Sequence, residues 1–269
     1  MSLTSELKNP QSNIVRYLDG ILDQHMVDKF IHEHNSILCK AKIIQPLKDS
    51  NLMLVGLSMI YAFYYQMMNR WDYEDTIAGR GIDYILGSKN HNHFDTILSQ
   101  ISNNEQKAFI SLILACFESY ARNQKIFPEI VPFINSKTLP ISGINKYNEL
   151  WTDSVQDVCN LVDSFNLGWI DGLKGHKIHR NVSFKDSYKV GGADAQMVCN
   201  GSLIDIRTSK LFRPFTKKDL YQQLAYCLFD SDNKWNIQEI IWIYPRHQMF
   251  LRYHKKQFTF TNHPKLSFS

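Results

Sequence analysis

The sequence lacks most of the features that assign a protein to a well-known class. Its 269 residues include five cysteines, and none of them forms a Cys-x-x-Cys pair. Scattered cysteines in odd number predict the buried, reduced thiols of a cytoplasmic protein, with neither a disulfide framework nor a zinc site. The chain also has no Gly-x-x-x-x-Gly-Lys-Ser/Thr segment and no Gly-x-Ser-x-Gly segment. These two absences argue against a P-loop nucleotide site and a hydrolase nucleophile elbow.

Long apolar runs are lacking as well. The most hydrophobic stretch covers residues 52–65 and is interrupted by Gly56 and Ser58. A helix needs about 20 apolar residues to cross a bilayer, so this stretch predicts a buried helix and no membrane partner is expected. The first residues show no basic-then-apolar secretion signal, which favours a cytoplasmic location.

Charge is distributed unevenly along the chain. The net charge is +4, but residues 171–269 carry 16 Lys and Arg against 8 Asp and Glu, whereas residues 1–170 carry 14 against 18. The second region therefore has a net charge of +8. A basic region of this kind suits a phosphate polymer, and a solvated surface is the alternative explanation. Five of its cations fall close together: Arg207, Lys210, Arg213, Lys217 and Lys218.

Hydrophobic periodicity changes along the chain. Residues 1–165 contain four segments with helix-spaced apolar residues, at 14–30, 52–69, 105–122 and 147–165. From about residue 174 the pattern becomes strand-like, and residues 239–244 and 249–253 predict a hairpin near the end of this region. The sequence therefore predicts an α/β protein with a mainly helical region over residues 1–165 and a sheet core over residues 166–269, on which the helices pack.

Residues 191–210 predict a β-hairpin. Asn200-Gly201 lies between two runs of β-prone residues, and this dipeptide is typical of a two-residue type I′ turn. In that register, the numbers of paired residues sum to 401, and the polar pairs are Asp194 with Arg207 and Gln196 with Asp205. Side chains two apart on a strand share a face, so we expect one polar face and one apolar face.

The two carboxylates on this polar face suggest a metal site. Asp194 and Asp205 would repel each other unless a cation lies between them. Oxygen ligands in a partly open site suit Mg²⁺ or Mn²⁺, with water and a substrate phosphate completing the shell. The alternative is an exposed polar face with an ordinary ion pair between Asp194 and Arg207.

A helix is predicted for residues 218–230. Its apolar stripe leaves Gln222 and Tyr226, four residues apart, together on the other face. The pair is suited to holding a substrate phosphate or a carboxylate of the metal site, and the alternative is a solvated helix face.

Together these segments resemble the RecB-type branch of the PD-(D/E)xK nuclease superfamily. Its pattern is Gly-x-x-Asp, a strand with Asp-x-Lys, and a helix with Gln-x-x-x-Tyr. The matching segments here are Gly191–Asp194, Ile204–Arg207 and Gln222–Tyr226. The resemblance covers about residues 181–253. A fainter similarity at residues 78–86 places Asp83 in the first, helical motif of the branch.

The resemblance implies a fold, an activity and a set of site residues. The fold is a restriction-endonuclease-like mixed β-sheet core flanked by helices. The activity is the metal-dependent hydrolysis of phosphodiester bonds, with DNA favoured over RNA. The implied metal ligands are Asp194, Asp205 and Asp83; the catalytic residues are Asp194, Asp205, Arg207 and Lys210; the substrate-binding residues are Gln222, Tyr226, Lys217 and Arg213.

One position departs from the pattern. Arg207 replaces the usual catalytic lysine, and an arginine is bulkier, forked and never deprotonated. The substitution is compatible with metal binding, but it removes the lysine that in this family can orient or polarise the attacking water. The alternative function is therefore a catalytically weakened nuclease fold that binds nucleic acid or a protein partner.

Overall fold

The computed structural model describes residues 2–87, 91–131, 143–164, 173, 175–208 and 214–258. The chain divides into two compact units. The sheet unit comprises residues 1–42, 176–206 and 211–269, and the helical unit comprises residues 43–175 and 207–210. The first 42 residues thus group with the strands, whereas the sequence-based division separated residues 1–165 from residues 166–269.

Over its described residues, the sheet unit is built on a mixed five-stranded sheet. Its strands lie in the order β1-β2-β3-β4-β5, with β3 and β4 parallel and the other neighbours antiparallel. They are β1 (Ile178–Ser183), β2 (Asp194–Cys199), β3 (Ser202–Ile206), β4 (Glu239–Tyr244) and β5 (Met249–His254). The predicted α/β class, with a mixed sheet flanked by helices, is confirmed.

In the part of the chain that the structure describes, four α-helices belong to the sheet unit. They are α1 (Leu3–Glu6), α2 (Asn13–Ile21), α3 (Gln24–Cys39) and α9 (Lys217–Phe229), the last of which connects β3 to β4. The predicted helical segment 14–30 is two helices, because Leu22 is extended and the Asp23 carboxylate caps α3 by accepting from the His25 and Met26 amides. The helices bury apolar side chains in one core with the sheet, including Leu18, Leu38, Leu220, Leu224, Ile240 and Trp242.

The hairpin turn forms as predicted. Asn200 and Gly201 have φ values of 46° and 76°, which are the left-handed values that a type I′ turn requires. The paired residues are Met197 with Ile204, Val198 with Leu203 and Cys199 with Ser202. The numbers of each pair sum to 401, so the register next to the turn is confirmed.

The helical unit contains the remaining described helices. They are α4 (Leu52–Met68), α5 (Ile77–Leu86), α6 (His91–Ser99), α7 (Asn104–Asn123) and α8 (Gly143–Asp163). The predicted segments 52–69 and 105–122 correspond to α4 and α7 to within a residue, and 147–165 corresponds to α8. Among the described residues, no helix combines the length and the apolar character needed to cross a bilayer.

Candidate functional site

The two candidate metal ligands lie where β2 and β3 separate. The ladder between these strands ends at Met197 and Ile204. Beyond that point Asp194 pairs with Ser183 of β1, and Asp205 pairs with Trp242 of β4. Each acid is thus held in a strand ladder, but by a different neighbouring strand.

The side chain of Gln196 bridges this separation. Its Oε1 accepts a hydrogen bond from the Ile206 amide at 2.7 Å, and its Nε2 donates to the Ile206 carbonyl at 3.4 Å. In a continued ladder, the Ile206 amide would instead face the main chain of Ala195. The predicted strand pairs Gln196 with Asp205 and Asp194 with Arg207 are therefore wrong, because an amide side chain replaces the neighbouring backbone.

Gln222 and Tyr226 lie together on α9, as the i,i+4 spacing predicts. The Gln222 Nε2 donates to the Tyr226 hydroxyl at 3.2 Å, and this hydroxyl donates to the Asp194 carbonyl oxygen at 2.9 Å. Tyr226 is 5% exposed and its ring stacks on Phe184. The pair is therefore not a solvated face, because it fastens the helix to the strand that carries Asp194.

The two acids differ in exposure. Asp205 is 6% exposed, whereas Asp194 is only partly buried. The Asp205 carboxylate is therefore the more shielded of the two, and the Asp194 carboxylate is the more accessible to solvent. Mg²⁺ is usually held by one or two carboxylates together with water and substrate phosphate, so this donor set fits the ion.

The described residues supply no third ligand grouped with these acids. Across the described ranges, no three His, Cys, Asp or Glu side chains are grouped as a metal site. Asp83 is exposed on α5 and belongs to the helical unit, as does Arg207, which follows the end of β3. Lys210 and Arg213 lie outside the described residues.

The glycines around Asp83 have a packing explanation. A Cβ on Gly81 would overlap the main chain of Phe117 in α7, and one on Gly79 would overlap the main chain of Tyr73 and Glu74. Both glycines therefore allow backbones to approach closely in the helical unit. The glycines of the fainter motif at residues 78–86 thus have a packing role in the helical unit, and the assignment of Asp83 as a metal ligand stays a prediction.

Lys217 has a partner within the sheet unit. Its ammonium lies 2.6 Å from the Asp19 carboxylate of α2 and 5.1 Å from the centre of the Tyr221 ring. The Tyr221 hydroxyl also donates to Asp19, at 2.6 Å. The predicted substrate-binding lysine thus joins α2 to α9, and the sequence pattern contained no signal for this partnership.

A buried polar group follows the end of β4. Since β4 is parallel to β3, residues 245–247 leave the sheet at the edge where β3 also ends. Arg246 and His247 are 0% and 3% exposed, and burial lowers the pKa of His247. The neighbouring Tyr244 hydroxyl is hydrogen-bonded to His34 Nε2 at 2.7 Å. The sequence of this segment predicts only the turn of a hairpin.

The basic character of the second half becomes clearer when charge is counted by unit. The sheet unit contains 18 Lys and Arg and 12 Asp and Glu, a net charge of +6, whereas the helical unit contains 12 and 14, a net charge of −2. The candidate acids thus belong to the positively charged unit. Some of its cations are engaged locally, such as Lys217 with Asp19 and Arg252 with Glu239.

Comparison with known proteins adds no relative. No protein family, curated protein or solved structure matches this chain. Its function must therefore be inferred from the residues and contacts described above.

Proposed function

We propose that this protein is a divalent-metal-dependent nuclease that hydrolyses phosphodiester bonds, with DNA as the favoured substrate. The observation that carries the proposal is the separation of β2 from β3 beside Asp194 and Asp205. Gln196 of β2 spans this separation to Ile206 of β3, and Tyr226 holds the main chain of Asp194 beside it. Such support from neighbouring side chains is expected where two acids must keep a fixed position.

The order of the elements supports the proposal. A hairpin with an acid on each strand is followed by α9 with its Gln-x-x-x-Tyr segment and then by the parallel strand β4. This is the order of the PD-(D/E)xK pattern that the sequence resembles. In open α/β sheets, ligands commonly bind beyond the carboxyl ends of parallel strands, and Asp205 is the next-to-last residue of β3.

The two acids and Arg207 have different roles in the proposed reaction. When bound, Mg²⁺ or Mn²⁺ supplies an activated water and stabilises the charge that develops on the phosphate. Asp194 and Asp205 would hold the ion through their carboxylates. Arg207 contributes a permanent positive charge for the phosphate, and Tyr226 keeps the Asp194 main chain in place.

The positively charged sheet unit supports a polyanionic substrate. Proteins that bind nucleic acid gain much of their affinity from phosphate contacts, which require a surplus of Lys and Arg. The net charge of +6 is carried by the unit that also carries both acids. A nucleic acid is the substrate that this arrangement suits.

Substitution of Asp205 tests the assignment. The Asp205→Asn variant is expected to lose Mn²⁺ binding and cleavage of labelled DNA, because the amide removes the ligand charge while keeping its shape. Asp232→Asn is the matched control, since Asp232 is an exposed acid of the same unit. Circular dichroism should show that both variants fold. Cleavage by Asp205→Asn at the parental rate would refute the proposal, as would a parent inactive on both DNA and RNA with Mn²⁺.

Arg207 favours a second candidate function. An arginine cannot act as a neutral amine near the attacking water, so the fold would be retained for binding nucleic acid or a protein partner. The Arg207→Lys variant separates the candidates. A parent that binds DNA without cutting it, together with a lysine variant that cuts, would identify a weakened nuclease. A parent that already cuts, with a variant that only changes the rate, would identify an enzyme.

A further inference from the structure

The helical unit contains a cavity of about 230 Å³ that is separate from the candidate acids. It is lined by the carboxyl-terminal ends of α4 and α8 and by the first turns of α7. The polar residues that face it include Tyr65 and Gln66 of α4, Asn104 and Lys107 of α7, and Asp163 of α8. The cavity therefore lies where three helix ends meet.

The helix ends give the cavity two electrostatic sides. The amino-terminal end of a helix favours anions and the carboxyl-terminal end favours cations. Lys107 lies near the start of the 20-residue helix α7, and Asp163 is the last residue of α8. Each charged side chain thus has the same sign as the helix end beside it. Lys107 adds to the positive potential at the start of α7, and Asp163 adds to the negative potential at the end of α8.

These side chains are available for a ligand. The Lys107 ammonium lies 5.2 Å from the centre of the Tyr65 ring. Among the described residues, neither Lys107 nor Asp163 forms an ion pair or a hydrogen bond through its side chain, and the same holds for Gln66. A cation, a carboxylate and an amide therefore border one small space without satisfying one another.

The chemistry of the cavity favours binding over covalent catalysis. Cys159 is a lining thiol, but burial and the nearby Asp163 raise its pKa to about 11. The thiol is therefore protonated at neutral pH and is a poor nucleophile. It lies 3.7 Å from the Asn104 carbonyl, to which it donates.

We propose that this cavity binds a small zwitterion of the size of a free α-amino acid. The ligand carboxylate pairs with Lys107 at the start of α7, and the ligand ammonium pairs with Asp163 at the end of α8. The Gln66 amide and the Tyr65 ring contact the rest of the molecule. The cavity is smaller than the roughly 300–1,000 Å³ of sites for drug-sized ligands, which favours a compact ligand. The proposal is independent of nuclease activity.

Calorimetric titration of the full chain with the twenty L-amino acids tests the proposal. At least one is expected to bind saturably at millimolar concentration or below and to raise the melting temperature. Lys107→Gln and Asp163→Asn should each weaken that binding about tenfold or more, since each removes a charge-assisted contact.

Glu105→Gln is the matched control, because Glu105 is an exposed acid in the same turn of α7 that does not line the cavity. Its affinity should equal that of the parent. The proposal is overturned if no amino acid binds or if either cavity variant binds as well as the parent. Circular dichroism of the variants excludes misfolding as the cause of lost binding.

Discussion

Two amide side chains bond main-chain groups in the sheet unit. Gln196 forms hydrogen bonds with both the amide and the carbonyl of Ile206. Asn35 of α3 does the same for Phe215: its side chain donates to the carbonyl at 2.9 Å and accepts from the amide at 2.6 Å. The first contact fixes the chain where it leaves β3, and the second fixes it just before α9. Tyr226 adds a third tie at Asp194. At the residue scale, the candidate acids thus depend on neutral polar side chains for their positions.

The Tyr226→Phe variant should separate this positioning role from simple stability. Loss of the hydrogen bond to the Asp194 carbonyl should cost about 1 kcal/mol in the free energy of unfolding, measured with urea. Mn²⁺ affinity and DNA cleavage should also fall, because Asp194 loses a restraint.

Tyr221→Phe is the control for this experiment. Tyr221 is also buried on α9 and also donates from its hydroxyl, but to the Asp19 carboxylate. A bond to a charged acceptor is worth about 1.5–3 kcal/mol, so this variant should lose at least as much stability. It should keep the parental Mn²⁺ affinity. Equal effects of both variants on Mn²⁺ binding would argue against a positioning role for Tyr226.

Close helix packing defines the helical unit at the element scale. Gly81 of α5 lies against the main chain of Phe117 in α7, so the absence of a side chain sets how closely these helices approach. Gly20 of α2 has no atom within 4 Å of the place where a Cβ would stand. Both glycines lie in helices, but the space beside Gly81 is filled by main-chain atoms whereas the space beside Gly20 is open.

Gly81→Ala and Gly20→Ala should therefore change stability in opposite directions. Gly81→Ala overpacks the contact with α7 and should reduce the free energy of unfolding by about 1–3 kcal/mol or more. Gly20→Ala should increase it by up to about 1 kcal/mol, because alanine favours the helix. Urea unfolding of both variants measures the difference. A neutral Gly81→Ala variant would contradict the close packing of α5 on α7.

The sequence predicts the elements of this protein better than their ends and side-chain partners. Asn200-Gly201 is a local signal, so it predicts the turn and the register beside it. Gln196 is different, because nothing in the alternation of β2 indicates that its amide will bond Ile206 across the hairpin. Asp19 and Lys217 are about two hundred positions apart, so their ion pair depends on the tertiary fold alone. The break before Asp23 was missed because the apolar spacing continues through it.

At the scale of the whole molecule, the charge is divided between the units. The sheet unit has a net charge of +6 and the helical unit a net charge of −2. The sheet unit also contains two histidines, His179 and His247, whose pKa values are lowered, chiefly by burial. For His247, both ring nitrogens lack a hydrogen-bond partner in the part of the chain that the structure describes.

The stability of the protein should therefore fall on mild acidification. The pKa of His247 is lower in the folded chain than its ordinary value of 6.5, so the unfolded chain binds more protons as the pH drops. The contribution of the neutral His247 imidazole to the free energy of unfolding is present above about pH 6.5 and is lost progressively below it. His247→Gln should flatten the pH dependence of the melting temperature between about pH 7.5 and 5.5.

His32→Gln serves as the comparison, because it removes an exposed imidazole from α3. Its melting temperature should keep the parental dependence on pH. A His247→Gln profile as steep as that of the parent would show that the buried imidazole does not control acid sensitivity.

The tip of the β2–β3 hairpin is tied to the strand that follows α9. The Gly201 carbonyl accepts hydrogen bonds from the Gln238 amide at 2.8 Å and the Glu239 amide at 3.3 Å. One end of the hairpin is therefore anchored to β4, while the other end opens beside the acids. Inserting a single residue into this turn would slide β3 by one position and exchange Asp205 for an isoleucine on the same face. The length of this two-residue turn should consequently be essential for placing Asp205.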